Sequence, residues 1–310
     1  MDILSSILRH IHLRGSVYFN SCFCSPWGLD IDRDQRASFH IIERGQCWLQ
    51  LNDEDPVPLV TGDIVILPHG SKHQIFDQRS STLIPGATAV EQIISGNNPF
   101  SGEHEHFNIV CGYFEYDRNI QNQFIDSLPE VIHITQQQRL QFRFLHSALE
   151  MIATESASQK PGSELLKDKI TELLFIQVMR TFIQLNPQKN NFIAALNDRH
   201  ISVALGLMHT QPETHWTLHE LAKHSGMSRS RFAQHFHDLV GTTAMRYLLS
   251  CRMQRAKQYI EETSTPVNNL AELVGYSSDS AFKKAFKQFF GHTPAHFRKQ
   301  TASKPPELTS

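Results

Sequence analysis

The sequence predicts a multidomain α+β protein, with a β-barrel and accompanying helices in the N-terminal part and an all-α region at the C-terminal end. Three observations support this fold class. The chain has 310 residues, which is more than one compact domain usually contains. Short β-rich segments separated by turns fill residues 15–116. Helical apolar spacing follows them and recurs in two similar segments of the last third.

The charge of the chain is divided unevenly between its two ends. The formal net charge is -2. From Ser202 onward, however, about thirteen Lys and Arg stand against about eight Asp and Glu, which leaves roughly -7 before that point. A basic region attached to an acidic one is compatible with a nucleic-acid-binding end and a separate control end. Since the sequence has no long apolar run and no leader, we expect a cytoplasmic protein without a membrane partner.

Four segments of the N-terminal part have the composition of antiparallel strands in a small barrel or jelly roll. They cover residues 37–43, 47–51, 63–67 and 107–116. The stretch 85–106 interrupts this rhythm with Gly, Asn and Pro. We therefore expect a surface loop there, within the sheet domain.

Two helices are expected after the barrel. Apolar residues between Leu140 and Ile152 fit one helical face. A second helix is expected from Ser163, whose side chain can cap it, to Phe182. Its apolar face is wide, so this helix either packs on the barrel or pairs with a second copy of the chain. The polar residues 186–191 then connect to the last domain.

Two segments of the C-terminal region align at an offset of about fifty residues. In each, a Leu-Ala helix is followed by a Gly, which permits a tight turn, and by a Ser that can cap the next helix. Two Phe four positions apart bury one side of that helix, which gives a helix-turn-helix with a polar outer face. The matched residues are Leu221, Ala222, Gly226, Ser228, Phe232 and Phe236, and then Leu270, Ala271, Gly275, Ser277, Phe282 and Phe286.

The outer faces of the second helix in each unit carry residue types that bind DNA. Arg and Gln make paired hydrogen bonds with guanine and adenine, whereas Lys mostly contacts phosphates. The first outer face is therefore expected to read bases and the second to anchor the backbone, with Asp279 either accepting from cytosine or capping its helix. The candidate DNA-binding residues are Arg229, Ser230, Arg231, Gln234 and His235 in the first unit and Ser278, Asp279, Ser280, Lys283, Lys284 and Lys287 in the second.

A long helix predicted over 242–260 would place the two outer faces in successive major grooves, about 34 Å apart. The surrounding residues resemble the AraC/XylS family of bacterial regulators. They are Arg252-Met253-x-x-Ala256, Val267-x-x-Leu270-Ala271-x-x-Val274-Gly275-Tyr276, Phe282-x-x-x-Phe286 and Gly291-x-Thr293-Pro294. The resemblance covers the last third of the chain. It implies an all-α domain that binds double-stranded promoter DNA and an activator that contacts RNA polymerase.

The segment 58–73 has the form of the second motif of a cupin barrel. Gly62-Asp63 makes a turn, a strand follows, and the bend after it returns His73 into the barrel. Residues 40–45 occupy the place of the first motif, and the pattern resembles the cupin sensor domains of AraC-type regulators. Metal-dependent cupin enzymes have a second His where this chain has Ile42, so we expect no enzyme. The alternative is a cupin oxygenase or isomerase with an accessory helical domain.

Four side chains of the barrel are candidate sensor residues: Cys22, His40, His73 and Cys111. The segments around the two cysteines resemble a subset of these regulators that responds to reactive oxidants. Imidazole and thiol ligands suit zinc or copper, and two thiols can form a regulatory disulfide. Alternatively, the cysteines are ordinary core residues. The Glu-His-Glu-His run at 103–106 is interpreted as a solvated loop.

The predicted organisation has three parts. A cupin-like sensor domain covers 1–135, a helical dimerisation or linker region covers 136–195, and the DNA-binding domain covers 196–303. The two helix-turn-helix units lie at about 219–240 and 267–290. We expect a homodimeric transcription regulator in which a small molecule, a metal ion or an oxidant shifts the sensor between two arrangements.

Overall fold

The computed structural model describes residues 3–11, 13–102, 107–116, 123–156, 160–186, 192–263 and 265–303. These residues form two compact units. The barrel unit contains the described residues within 12–116 and 128–186, and the helical unit contains those within 1–11, 117–127 and 187–310. In the described part of the chain, no helix is long and apolar enough to cross a membrane.

The helices and strands, in chain order, are α1 (Ile3–His10), β1 (Arg14–Phe23), β2 (Gly28–Ile31), β3 (Ala37–Arg44), β4 (Gln46–Leu51), β5 (Val57–Val60), β6 (Ile64–Leu67), β7 (His73–Phe76), β8 (Ile84–Pro85), α2 (Gly86–Ile94), β9 (Phe107–Glu115), α3 (Gln123–Asp126), β10 (Ile132–Ile134), α4 (Gln136–Leu140), α5 (Arg143–Ser156), α6 (Ser163–Leu185), α7 (Phe192–Asn197), α8 (Ile201–Thr210), α9 (Leu218–His224), α10 (Arg229–Val240), α11 (Ala244–Glu262), α12 (Leu270–Leu273), α13 (Asp279–Phe290) and α14 (Pro294–Ser303). A 3-10 turn over Val267–Asn269 leads into α12.

The barrel unit is built from two five-stranded sheets. One has the order β1-β9-β3-β6-β10 and the other β5-β4-β7-β2-β8. Neighbouring strands are antiparallel except β2 and β8. Because side chains alternate between the two faces of a strand, each sheet contributes every second residue to a shared apolar core. That core includes Phe23, Trp27, Leu29, Ile42, Leu49, Val65, Ile75 and Ile109.

Helix α6 covers the other face of the first sheet. The ring of Phe114 lies 4.8 Å from that of Phe39 and 4.9 Å from that of Phe175 on α6, centroid to centroid. The predicted apolar face of this helix therefore packs on the barrel. Other apolar residues of the same helix, including Leu165, Leu166 and Leu173, stay exposed.

The four predicted strands are present, but two local expectations were wrong. Residues 86–94 form α2 rather than a loop, because the buried Ala89 and its neighbours Val90 and Ile93 pack against the barrel core. Ser163 is the first residue of α6, after Gly162, and its hydroxyl donates to Glu155 at 2.8 Å instead of capping the helix. The run 103–106 lies outside the described residues.

One further expectation failed in the helices after the barrel. Leu140 was assigned to the helical face that includes Leu145. It instead ends the short helix α4 and is exposed, whereas Leu145 is fully buried in α5. A turn at 141–142 separates the two helices, so the apolar spacing crosses a break that periodicity alone does not reveal.

The helical unit contains two successive helix-turn-helix pairs, α9–α10 and α12–α13, joined by α11. Their turns use Gly226 and Gly275, which have φ values of 65° and 80°. This left-handed conformation is strained for other residues. Helix α11 has 19 residues and is therefore about 28 Å long. Two segments distant in sequence complete this unit: α1 packs on α8 and α11, and α3 packs on α7.

Candidate nucleic-acid interface and buried histidine–cysteine cluster

Helix α10 presents most of the predicted base-reading residues to solvent. Phe232 and Phe236 are fully buried, with ring centroids 5.6 Å apart, and they fix the inner face of the helix. Arg229, Ser230, Arg231 and Gln234 are therefore left on the exposed side. Two guanidinium groups and an amide on one exposed helical face suit hydrogen bonding to base edges in a major groove.

His235 has a partner within the unit. Its Nε2 lies 2.9 Å from Oδ2 of Asp198, whose other oxygen accepts from the amides of His200 and Ile201 at the start of α8. Partial burial would raise the pKa of Asp198, but the hydrogen bonds from Ile201 and His235 hold it below its usual value. His235 thus ties the helix to the segment before α8, a contact across 37 positions that sequence spacing could not reveal.

Helix α13 has a different outer face. Ser278 caps it, since its Oγ accepts from the amide of Ala281 at 3.2 Å. Asp279 pairs with Lys283 at 2.6 Å, and Lys283 also lies 3.3 Å from Oδ1 of Asn268. The other candidate residues of this helix, Ser280, Lys284 and Lys287, are exposed. This face is suited to phosphates more than to base edges.

Three of the four candidate sensor residues meet inside the barrel. His40 on β3 lies directly across the ladder from Cys111 on β9, and His73 reaches them from the other sheet. Nε2 of His40 is 2.8 Å from Nε2 of His73, and Nδ1 of His40 is 3.1 Å from Sγ of Cys111. All three side chains are at most 5% exposed.

The direction of each hydrogen bond in this cluster follows from one backbone group. The carbonyl of Ser71 can only accept, so Nδ1 of His73, 2.7 Å away, donates to it. Neutral His73 must then accept at Nε2, which makes His40 the donor at its own Nε2 and the acceptor at Nδ1. The thiol of Cys111 therefore donates to His40. We call this chain of Cys111, His40, His73 and the Ser71 carbonyl the thiol relay.

Burial keeps the thiol relay neutral. It lowers the pKa of His40, an effect that the neighbouring His73 reinforces, and it lowers the pKa of His73 to about 4. Burial also raises the pKa of the Cys111 thiol. Each member therefore has a partner and carries no charge at neutral pH, which is how polar groups are tolerated in an apolar core.

Cys22 does not join the thiol relay. In the β1–β9 ladder it lies opposite Asn108, whereas Cys111 lies opposite Phe19. Residues 108 and 111 point to opposite faces of β9, so Cys22 faces away from the barrel interior. Its Sγ lies 3.9 Å from the guanidinium of Arg44.

The two facing imidazole nitrogens of the relay are closer together than two nitrogens bound to one zinc ion. Two imidazole nitrogens on one tetrahedral zinc would lie about 3.3 Å apart, given the usual zinc–nitrogen distance. The 2.8 Å between the histidines is instead a hydrogen bond. Within the described ranges, no group of three or more His, Cys, Asp and Glu residues is placed to hold a metal ion. Ile42, at the position of the missing ligand, is fully buried in the apolar core.

A barrel unit joined in one chain to a helical unit with two exposed helix-turn-helix faces is typical of DNA-binding regulators. A family model described as Cupin matches residues 2–184, and a model described as Helix-turn-helix domain matches residues 221–300. The chain belongs to the AraC-type transcription regulators that carry an N-terminal cupin domain. The predicted family and fold class are confirmed.

Curated relatives align over nearly the whole chain. The HTH-type transcriptional regulator AlkR of Acinetobacter baylyi is 29% identical over 307 residues, covering 97% of this chain and 100% of the relative. The RCS-specific HTH-type transcriptional activator RclR of Escherichia coli is 29% identical over 304 residues, covering 97% and 98%. A crystal structure of an AraC-type regulator from Chromobacterium violaceum is 28% identical, with a TM-score of 0.32, over 34% of this chain and 93% of that one. These relatives are named as transcription regulators, which argues against the alternative of a cupin oxygenase or isomerase.

Proposed function

We propose that this regulator binds double-stranded promoter DNA as a homodimer and that oxidation of Cys111 in the thiol relay controls this binding. The observation that carries the proposal is the relay itself, in which the buried thiol of Cys111 donates a hydrogen bond to His40. Cys111 lies on β9, and α3 of the helical unit is the next described helix along the chain.

The two recognition helices contact different parts of the DNA. On α10, Arg229 and Arg231 are suited to guanine and Gln234 to adenine. On α13, Lys284 and Lys287 are suited to phosphates, which add affinity that depends on salt. We assign His235 to holding α10 in place, because it bonds to Asp198 outside that helix. We assign the Asp279–Lys283 pair to the same role in α13, because Lys283 also contacts Asn268. As an activator, the DNA-bound chain would also contact RNA polymerase.

The sensing step is the oxidation of one thiol by hypochlorous acid. The reaction converts the Cys111 S–H and HOCl into a sulfenic acid, S–O–H, and HCl, so sulfur is oxidised and chlorine is reduced. At rest the thiol stays protonated, and Nδ1 of His40 is positioned to accept the proton that sulfur loses. The relative RclR, named RCS-specific and responsive to reactive chlorine, supports an oxidant of this class. The added oxygen overpacks a buried site and strains β9.

Within the helical unit, a series of aromatic contacts leads from α3 to the recognition helix α10. The next described helix along the chain after β9 is α3, whose Phe124 lies 6.3 Å from Phe192. Phe192 is 5.9 Å from Tyr247, and Tyr247 is 5.9 Å from Phe236 on α10, all between ring centroids. A change in the position of α3 would therefore be felt in the core that supports α10.

The exposed apolar faces of α5 and α6 are proposed to bind a second copy of the chain. Phe144 and Met151 lie seven residues apart on α5, as do Leu166 and Leu173 on α6, and all four are exposed. Flanking Lys and Glu residues of α6 pair with each other, so the face carries no excess charge and is compatible with its own copy. Leu166→Glu should convert a dimer into a monomer in sedimentation experiments. Ile94→Glu, at an exposed apolar residue of α2, should not.

To test the sensing step, a DNA duplex is first selected from random sequences by binding to the full-length chain. The affinity of the chain for this duplex is then measured before and after treatment with one equivalent of hypochlorous acid. Wild type should change affinity by about 5- to 150-fold, the usual range of coupling between sites. Cys111→Ser keeps a donor for His40 but removes the oxidisable sulfur, so it should bind like wild type and lose the response. Cys22→Ser is the matched control and should respond fully. A response lost in Cys22→Ser and kept in Cys111→Ser would overturn the proposal.

A further inference from the structure

Helix α11 belongs to the cores of both helix-turn-helix pairs. Its first half carries Tyr247, which packs against Phe236 of the first pair. Its second half carries Met253, Ala256 and Ile260, which share a core with the second pair. Arg252 lies along α11 between these two sets of contacts.

Arg252 connects the two pairs on the outside of α11. Its Nε donates to the carbonyl of Pro212 at 2.8 Å and its Nη2 to the carbonyl of Thr214 at 2.9 Å. Both carbonyls lie in the segment that leads into α9. The guanidinium carbon is also 5.7 Å from the ring centroid of Tyr276, in the turn of the second pair. Tyr276 in turn contacts Phe282 of α13, with 5.8 Å between ring centroids.

The same two segments meet through their backbones. A Cβ added at Gly275 would lie 2.4 Å from the carbonyl oxygen of Glu213, a distance at which backbone must move. Gly275 also has a φ of 80°, which the turn between α12 and α13 requires. The segment that leads into the first pair therefore touches the turn of the second pair, residues 212–214 against residues 275–276, and Arg252 contacts both.

We propose that Arg252 is a positioning residue that fixes the distance and rotation between α10 and α13, and so sets the spacing of the two DNA segments that one chain reads. A planar guanidinium holds its donors in fixed directions towards two carbonyls while its face lies against an aromatic ring, and the ammonium of lysine lacks this fixed geometry. The inference rests on the proposal that both helices contact DNA. The new element is that binding by α10 strengthens binding by α13 only because the junction between them is rigid.

The experiment measures the tolerance of binding to spacing. The full-length chain is titrated with the selected duplex, with the same duplex carrying one extra base pair between the two contacted segments, and with a duplex in which one segment is scrambled. One base pair shifts the second segment by about 3.4 Å and rotates it by about 35°. Wild type should lose on the order of tenfold or more on insertion, because a rigid junction cannot follow the shift.

The variants Arg252→Ala and Arg252→Lys should bind the original duplex more weakly than wild type does, but the scrambled duplex with the same affinity as wild type. The inserted base pair should lower their DNA affinity by less than threefold. Arg255→Ala is the matched control. That arginine is about one turn further along α11 and is also half-buried. Its guanidinium bonds to Gln258 and faces the ring of Tyr259, both on its own helix. It should keep the insertion penalty of wild type. Gly275→Ala breaks the same junction independently and should relax the spacing in the same way.

Three outcomes would contradict the inference, and they are distinguishable. Equal insertion penalties in wild type and all junction variants would mean that Arg252 does not set the spacing. Equal loss on the original and scrambled duplexes would mean that Arg252 only stabilises the fold. If wild type itself gained nothing from the second segment, the proposal that α13 contacts DNA would fail, and the positioning role with it.

Discussion

The thiol relay and the recognition helices use polar side chains in opposite ways. In the relay, His40, His73 and Cys111 are buried, neutral and hydrogen-bonded to one another. On α10, Arg229 and Arg231 are charged and exposed. A buried neutral network responds to the addition or removal of a proton or an oxygen, whereas exposed charges respond to salt and to DNA. The two regions should therefore be separable by pH, by salt and by mutation.

The largest expected effect is the loss of barrel stability in mild acid. The pKa of His73 is about 4 in the folded protein, below its ordinary value of 6.5. As the pH falls, His73 is therefore protonated in the unfolded chain before it is protonated in the folded protein. Stability is therefore present above pH 6.5 and is lost as the pH falls towards 4, by on the order of 3 kcal/mol. Denaturant unfolding of the barrel unit at several pH values measures this loss.

The control for the acid effect uses a second histidine of the barrel unit. His73→Gln should flatten the pH dependence between 6.5 and 4. His146→Gln, at an exposed position of α5 with a side chain 45% accessible, should leave the dependence as in wild type. An unchanged slope in His73→Gln would mean that the relay histidines are charged in the folded protein.

The second effect in size concerns base reading by α10. Arg229→Ala and Arg231→Ala should each weaken binding to the selected duplex by about 1–3 kcal/mol and relax the preference at one base position. Competition with single-base variants of the duplex measures that preference. Equal weakening against every sequence would reassign these arginines to phosphates and remove the difference between α10 and α13.

The smallest effect concerns the anchoring role of α13. Lys287→Ala should weaken binding to all sequences alike and reduce the slope of log affinity against log salt by about 1. Base preference should not change. Lys223→Ala, an exposed lysine near the end of α9, serves as the comparison. If Lys287→Ala changed which base is preferred, α13 would read sequence as well.

The structure of the helical unit could be predicted from the sequence more completely than that of the barrel. The repeated Phe pairs and Gly turns define α9–α10 and α12–α13 because these elements are held by local spacing. The face of a strand residue depends on register instead, and a shift of one position reverses it. A register irregularity between Val17 and Phe19 precedes Cys22 in β1, so its orientation away from the relay could not be predicted from alternation alone.

Contacts between segments that are distant along the chain could not be predicted from the sequence either. The pairing of His235 with Asp198, the Ser71 carbonyl of the relay and the carbonyls bound by Arg252 all require the folded chain. The preference of Asp for the start of a helix could have indicated Asp198, three residues before α8. Arg252 was visible as part of a family motif, but its partners are backbone atoms that no residue pattern identifies.

The most direct test of the account is a single set of DNA titrations with wild type, Cys111→Ser and Arg231→Ala, each with and without equimolar hypochlorous acid. Arg231→Ala should bind more weakly yet keep the full oxidant response. Cys111→Ser should bind like wild type and show no response. The account would be contradicted if Arg231→Ala lost the response, or if Cys111→Ser kept it.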